Sequence, residues 1–237
     1  MISLHSKSSL VQLKWVTPNA EEMIVEQARV SNPDNATNME TAPRLLRYLI
    51  KHKHWSPFQM ASMGITIHTE RDISAQILRH KSFEFQEYSS RYAQMNSYTL
   101  PSYRRQDDKN RQNSLDDLSD EVHEELVEHT KYLMDQVFTF YDEMLEIGIA
   151  KECARRILPL CTNTTLHMTG TLRSWIHYLQ VRCDPATQLE HREIACGIRD
   201  IFIEQFPVIG QAVFPDVTYT PSTSTENSKQ QVTDKKN

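Results

Sequence analysis

"RHKSFEFQEYSSRY", Arg79 to Tyr92, crowds Arg79, His80, Lys81 and Arg91 around Glu84, Gln86, Glu87 and several serines, with Phe83, Phe85, Tyr88 and Tyr92 between them. Cations and hydrogen-bonding groups interleaved with flat apolar surfaces suit a binding wall. If Glu84 to Tyr92 is extended, alternation puts Gln86, Tyr88, Ser90 and Tyr92 on one side and Glu87, Ser89 and Arg91 on the other. The second trio can grip a nucleotide: arginine on phosphate, serine on phosphate or base, glutamate on a ribose or ring N–H. Arg79, His80 and Lys81 then face a second anionic group, so two neighbouring anionic ligands are implied. Taken singly, each aromatic ring here could equally fill a core.

Outward from this strip, Arg71 to Arg79 reads as a helix, with Ile73, Ile77 and Leu78 at helical spacing. Before it, Phe58 to His68 alternates through Met63, Ile65 and Ile67 and reads as a strand. Leu10 to Val16 is a further strand, and Pro18 to Val30 and Met39 to His52 are helices. After it, Tyr98 to Ser114 is polar and reads as a long loop. Ser119 to Ile147 is a long helix whose stripe of Val122, Leu126, Leu133, Val137 and Tyr141 is expected to pack in the core. Ser119 suits its N-cap and Gly148 its C-terminal cap. Lys151 to Leu158 is a short helix, Thr162 to Gly170 a strand or turn, and Thr171 to Val181 and Pro185 to Gln205 are helices. Residues 1–217 form a single expected domain, and 218–237, rich in Ser, Thr, Gln and Lys, an expected disordered polar tail.

The net charge of −5 argues against a general nucleic-acid binder, yet charge is segregated. Ser119 to Glu146 holds nine acids and one lysine, whereas Arg71 to Arg111 holds eight Lys or Arg against five acids. A local basic cluster suits a small anion at least as well as a polymer. Five glycines never come close enough for G-x-G-x-x-G or a Walker loop. A phosphorylated ligand must therefore be held by side chains and helix ends. No metal-ligand spacing appears among the histidines, including His52, His54 and His68, so no metal is expected. The four cysteines lack C-x-x-C pairing and read as reduced thiols. The N-terminal "MISLHSKSSLVQLKW" has no continuous apolar stretch of a signal peptide, and no apolar run approaches the ~18 residues that span a bilayer. A cytoplasmic location, with no membrane and no nucleic-acid polymer as partner, is expected. The surplus that remains is arginine: Arg155, Arg156, Arg173, Arg182 and Arg192 could converge with Arg79 and Arg91 as forks for phosphate and planar polar groups. Each alone could instead be a surface cation near a helix end.

The strip resembles the signature of the flavin-dependent thymidylate synthases, R-H-R-x-x-S-x-N-E-x-S-x-R-Y. It keeps Arg79, His80, Glu87, Ser89, Arg91 and Tyr92, and departs at Lys81, Glu84 and Gln86. "HKHWSPFQ" (His52 to Gln59), "ARRILPL" (Ala154 to Leu160), "TGTLRSWIHYLQVR" (Thr169 to Arg182) and "QLEHREIA" (Gln188 to Ala195) resemble other family segments in order and spacing. The resemblance runs from about Leu10 to Phe214. It implies an α+β fold, a central antiparallel sheet with flanking helices, in a homotetramer with active sites between subunits. It implies methylation of dUMP to dTMP, with methylenetetrahydrofolate as carbon donor and NADPH reducing a bound FAD. Carried onto this chain, the FAD contacts are His54, Ser56, Arg79, His80, Lys81, Glu87, Thr171, Arg173 and His177. The dUMP contacts are Gln76, Arg79, Glu87, Ser89, Arg91, Arg155 and Arg182, with Arg182 also the catalytic residue. Thr171 and His177 stand where some members have asparagine.

Arg182 cannot be a base, because guanidinium stays protonated; its role would be to stabilise negative charge on the ring. Glu84 is expected to point away from the ligands or pair with an arginine. Lys81 keeps the charge of the signature's arginine but loses its planar fork. Competing readings are a flavin- or nucleotide-binding relative without methyl transfer, and a nucleic-acid-binding module using basic and aromatic residues.

Overall fold

A computed structural model describes residues 10–36 and 38–217, so the tail expected over 218–237 lies outside the described residues. In chain order the strands are β1 (Val11–Val16), β2 (Ser62–Glu70), β3 (Glu84–Glu87), β4 (Arg105–Gln106), β5 (Ser114–Leu115) and β6 (Asn163–Thr171). The helices are α1 (Ala20–Ala28), α2 (Ala42–Lys51), α3 (Arg71–Ile77), α4 (Asp120–Glu146), α5 (Lys151–Ala154), α6 (Leu172–Arg182), α7 (Leu189–Gln205) and α8 (Pro207–Val213). Four strands make one antiparallel sheet in the order β1-β2-β6-β3, and β4 with β5 make a small separate hairpin. The protein is α+β, with helices flanking a central antiparallel sheet.

β2 is central, between β1 and β6, and five consecutive residues, Met63 to Ile67, are buried. A strand covered on both faces needs apolar or small side chains on both. Gly64 meets this need on the β1 side: a Cβ there would lie 2.3 Å from the Trp15 indole nitrogen. Gly170 of β6 does the same under Phe83, whose ring a Cβ would meet at 2.5 Å. One aromatic ring of the Arg79–Tyr92 strip is thereby fixed in the core, edge-on to Trp175 at 4.7 Å. Trp175 in turn donates from Nε1 to the Met63 carbonyl at 3.0 Å, tying α6 to β2.

Four expectations need correction. β2 begins at Ser62, not Phe58, because Pro57 favours a tight 3₁₀ turn over Ser56–Gln59 that buries Phe58. The loop over Tyr98 to Ser114 carries the β4 strand and the start of β5. The α4 stripe does not fill the core: only Tyr141 is buried, and Val122, Leu126 and Leu133 are 44%, 39% and 48% exposed. Among the described residues, Met95, Ala154 and Leu158 pack against the C-terminal part of that helix, and the Tyr98 ring meets Phe138 at 5.2 Å. Finally, Glu84 to Tyr92 is extended only as far as β3. Beyond it, Tyr88 donates to the Thr165 carbonyl, and then Tyr92 and Ala93 both donate to the Ser89 carbonyl, closing a turn. That turn breaks the expected alternation and carries Ser90, not Ser89, inward.

Candidate active site

Two polar clusters form where α3, β3, α6 and the start of α7 meet. The first is a cavity of about 200 Å³ lined by Arg71, Glu87, Ser89, Ser90, Arg155 and Thr164, among others. Ser90 is 5% exposed, and its Oγ accepts from Arg155 Nη1 at 3.1 Å and from Arg71 Nη1 at 3.5 Å. Two guanidinium groups on one buried hydroxyl make a cationic floor, the arrangement a phosphate-sized anion meets with charge-assisted hydrogen bonds. Arg71 is there because α3 follows β2 without a break, its N–H held by the Thr162 carbonyl at 3.1 Å. Arg155 arrives from the 3₁₀ turn that follows α5. Glu87 closes a wall: its Oε1 accepts from Ser74 Oγ at 2.7 Å and Thr164 Oγ1 at 3.3 Å.

The second cluster surrounds Arg182, the last residue of α6. Its Nε donates to His80 Nε2 at 2.9 Å. His80 therefore accepts at that nitrogen and is neutral. Burial, and then the charges of Arg182, His177 and Arg79, push its pKa down to about 4. Tyr178 meets His80 edge-on at 4.8 Å, and its hydroxyl lies 3.0 Å from Nε2 of the fully buried His191. Burial, helped by Arg182, lowers the His191 pKa to about 3. His191 Nδ1 is 3.3 Å from Gln76 Oε1, and Gln76 Nε2 donates to Gln188 Oε1 at 2.7 Å. With Nε occupied, Arg182 keeps its terminal nitrogens for a planar ligand, beside two histidines held uncharged.

The structure thus brings Glu87, Ser89 and Arg155 to one cavity, and Gln76, His80 and Arg182 to one network. It does not bring Arg91 into the cavity. Arg91 pairs with Glu152 at 3.1 Å, both side chains 55% exposed, and lies 6.0 Å from the Tyr92 ring. His54, Ser56, Arg79, Lys81, Arg173 and His177 are exposed, and Thr171 is half-buried as the N-cap of α6, accepting from the Ser174 N–H at 3.3 Å. Arg173 and His177 are one turn apart on the same face of α6. Arg79, Lys81 and Arg173 make no salt bridge among the described residues, so their charges are available to a large anion. That donor set fits a dinucleotide pyrophosphate, although a 200 Å³ cavity in one chain does not hold a dinucleotide. Glu84 is exposed and makes no salt bridge among the described residues; alternation along β3 turns it away from Glu87.

Sequence reading missed Arg71, Ser90, Gln188 and His191. No local pattern marks Arg71 or Ser90, while Gln188 and His191 lie in the "QLEHREIA" segment without a role, since their partner Gln76 is far away in the chain. A wider hollow of about 470 Å³ lies between α1 and α2, but it is organised around Arg29, which donates to the carbonyls of Asn35 and Asn38 and to Thr41. That guanidinium has a structural task. Among the described residues no three His, Cys, Asp or Glu side chains are placed to hold a metal ion, and no helix is long and apolar enough to cross a membrane.

The profile of the family described as thymidylate synthase complementing protein matches residues 12–208. The chain is 49% identical over 195 residues to a probable flavin-dependent thymidylate synthase of Paramecium bursaria Chlorella virus 1, covering 82% of this chain and 90% of that one. It is 48% identical over 212 residues to a flavin-dependent thymidylate synthase of Synechocystis, covering 90% and 97%. Among solved structures it resembles a UMP/dUMP methylase, PolB of Streptomyces cacaoi, bound with 5-Br dUMP. There the TM-score is 0.78 and the identity 25%, over 86% of this chain and 93% of that one.

Proposed function

The chain belongs to the thymidylate synthase complementing protein family, and from that premise we propose that it is a flavin-dependent thymidylate synthase. It methylates dUMP to dTMP, with methylenetetrahydrofolate as carbon donor and NADPH as the source of reducing equivalents. The observation that carries this reading is the buried Ser90 hydroxyl between Arg155 and Arg71, together with the neutral His80 beside Arg182 in a second cluster; α3 serves both, through Ser74 on Glu87 and Gln76 beside His191. A phosphate on the first cluster leaves the pyrimidine to the second.

Arg155 and Ser89 bind the phosphate, and Arg71 adds charge that the sequence reading did not assign. Carbon 5 of uracil is a poor nucleophile until negative charge builds in the ring. Arg182 stabilises that charge through its Nη groups, since a guanidinium holds its protons throughout. His80 fixes the direction of Arg182 by accepting from Nε, and its depressed pKa keeps it an acceptor at neutral pH. Ser89 binds substrate; among the described residues no histidine–carboxylate pair is hydrogen-bonded to it to activate it as a nucleophile. FAD, when bound, supplies the hydride, and Arg79, Lys81, Arg173, His177, His54, Ser56 and Thr171 would hold it.

Residues 1–217 form the catalytic domain, and the working unit is a cytoplasmic homotetramer with the flavin between subunits. Exposure of the flavin residues and of Leu126 and Leu133 on α4 supports this assembly. The test is production of dTMP from dUMP by the FAD-loaded protein with methylenetetrahydrofolate and NADPH, read by chromatography, with molar mass from light scattering. Retained flavin without dTMP would reduce the reading to a flavin-binding relative. A monomer that turns over would remove the assembly.

A further inference from the structure

Gln76 has an amide whose two ends are chemically opposite, and in this chain its direction is dictated from the far end of a hydrogen-bond series. The series starts at Glu190, the second residue of α7. Its Oε1 accepts from Arg104 Nη2 at 2.7 Å and its Oε2 from Gln188 Nε2 at 3.0 Å. Burial alone would raise the Glu190 pKa, but its backbone N–H, Arg104 and Gln188 together outweigh it and hold the pKa below the usual value, so the carboxyl is ionised. An ionised carboxylate only accepts, so Gln188 must turn its NH₂ toward Glu190 and its carbonyl toward Gln76. Gln76 must then offer its NH₂ to Gln188, which it does at 2.7 Å, and its carbonyl to His191. His191, neutral and buried, must carry its proton on Nδ1 to donate to Gln76, which leaves Nε2 to accept from the Tyr178 hydroxyl. Every orientation along the series follows from one charge.

We propose that this series locks the Gln76 amide and makes Gln76 the residue that distinguishes uracil from cytosine in the bound nucleotide. The inference rests on the reading of the Arg182 cluster as the pyrimidine site. Uracil presents a ring N–H donor beside a carbonyl acceptor; cytosine presents a bare ring nitrogen beside an amino donor. A freely rotating glutamine suits either base by turning over, because it owns one donor end and one acceptor end. A locked one suits uracil alone, and cytosine then leaves buried polar groups opposed or unpaired. Each end of the amide keeps one further hydrogen-bonding position for the base, beyond those taken by Gln188 and His191.

A single-atom change reverses the series. In Glu190→Gln, the atom facing Arg104 must remain oxygen, so the new NH₂ faces Gln188. Gln188 and Gln76 then turn over, and the His191 proton moves to Nε2. The experiment measures dUMP and dCMP binding to the FAD-loaded protein, as the native protein, Glu190→Gln and the milder Gln188→Met. It also reads the His191 tautomer by ¹⁵N NMR of histidine-labelled protein. The expected result is a dUMP over dCMP preference that falls by about tenfold or more in Glu190→Gln and by less in Gln188→Met. The tautomer should switch only in the former. Gln188 is exposed, so its variant keeps the test open if Glu190→Gln folds poorly. Unchanged preference in both variants, with dUMP still bound, overturns the lock while leaving the enzyme reading intact. A native protein that binds neither nucleotide overturns that reading and the lock with it, which is a different signature.

Discussion

The cavity at Ser90 and the outer surface bearing Arg79, Lys81, Arg173 and His177 are built in opposite ways. At Ser90, the charged groups are already engaged by this chain: two arginines on a hydroxyl, two hydroxyls on a carboxylate. On the outer surface the cations stand exposed and unpaired among the described residues. The first is a pre-organised receptor, whose groups keep their positions when an anion arrives. On the function proposed above, the second is half of a receptor, to be completed by a ligand and another surface. On that proposal, nucleotide recognition is a property of the folded chain and flavin recognition a property of the assembly. His80 joins the two, with Arg182 on one side and Arg79 and His177 near it on the other.

The sharpest test of that division is Arg182→Met. It removes the only proposed stabiliser of negative charge on the pyrimidine. Loss of one such donor lowers turnover by about 10²–10³-fold. The comparison predicts that this loss falls on kcat in single-turnover flavin oxidation, with FAD retained. If FAD is lost as well, the two regions are not separable at His80.

Arg155→Met should act next most strongly and on one side only. A charge-assisted hydrogen bond of roughly 1.5–3 kcal/mol corresponds to about 10- to 100-fold in dUMP affinity. FAD affinity should stay within about twofold, measured by fluorescence titration. Equal losses for both ligands would mean that the Ser90 cavity and the flavin surface are one site.

A smaller effect appears in acid. His80 and His191 have folded-state pKa values of about 4 and about 3, below the ordinary 6.5. In the unfolded chain each takes its proton first as the pH falls, so each contributes stability that is complete above pH 6.5. That contribution declines below 6.5, until about pH 4 for His80 and about pH 3 for His191. Thermal melts should show His80→Asn losing less stability than the native protein between pH 6.5 and 4. Parallel curves would mean that His80 is not held neutral by the fold.

Much of this organisation could be read in the sequence, for specific reasons. Strands β1 and β2 and the helices α2, α3 and α4 emerge from periodicity, because each carries an apolar face; β6, rich in threonine, fits either a strand or a turn. Ser119 indeed caps α4, accepting from the Val122 N–H, and Gly148 follows its end at φ +87°. The turn at Ser89–Ala93 was not readable. It is set by hydrogen bonds to the Ser89 carbonyl and by the arginines that take Ser90, one of them 65 residues away. For the same reason Arg71 read as an ordinary helix-start residue. The α4 stripe was recognised correctly as apolar, but periodicity says that a face is to be covered and not by which chain.

Glu84 gives the smallest expected effect and the most economical way to redraw the boundary. The family signature has serine there, and a carboxylate facing a pyrophosphate would weaken flavin binding. In the structure Glu84 opens β3, paired opposite Thr169, with Phe85 turned toward the core and Glu87 toward the nucleotide cavity. Alternation over three residues puts Glu84 and Glu87 on opposite faces of the strand. Its charge is exposed, where ~0.15 M salt screens it over about 8 Å. Glu84→Ser should therefore change FAD affinity by less than about twofold at that ionic strength, and only slightly more at low salt. A rise of tenfold would put the outer face of β3 inside the flavin surface. The two regions would then be the two sides of one strand, Glu87 reading the nucleotide and residue 84 tuning the cofactor.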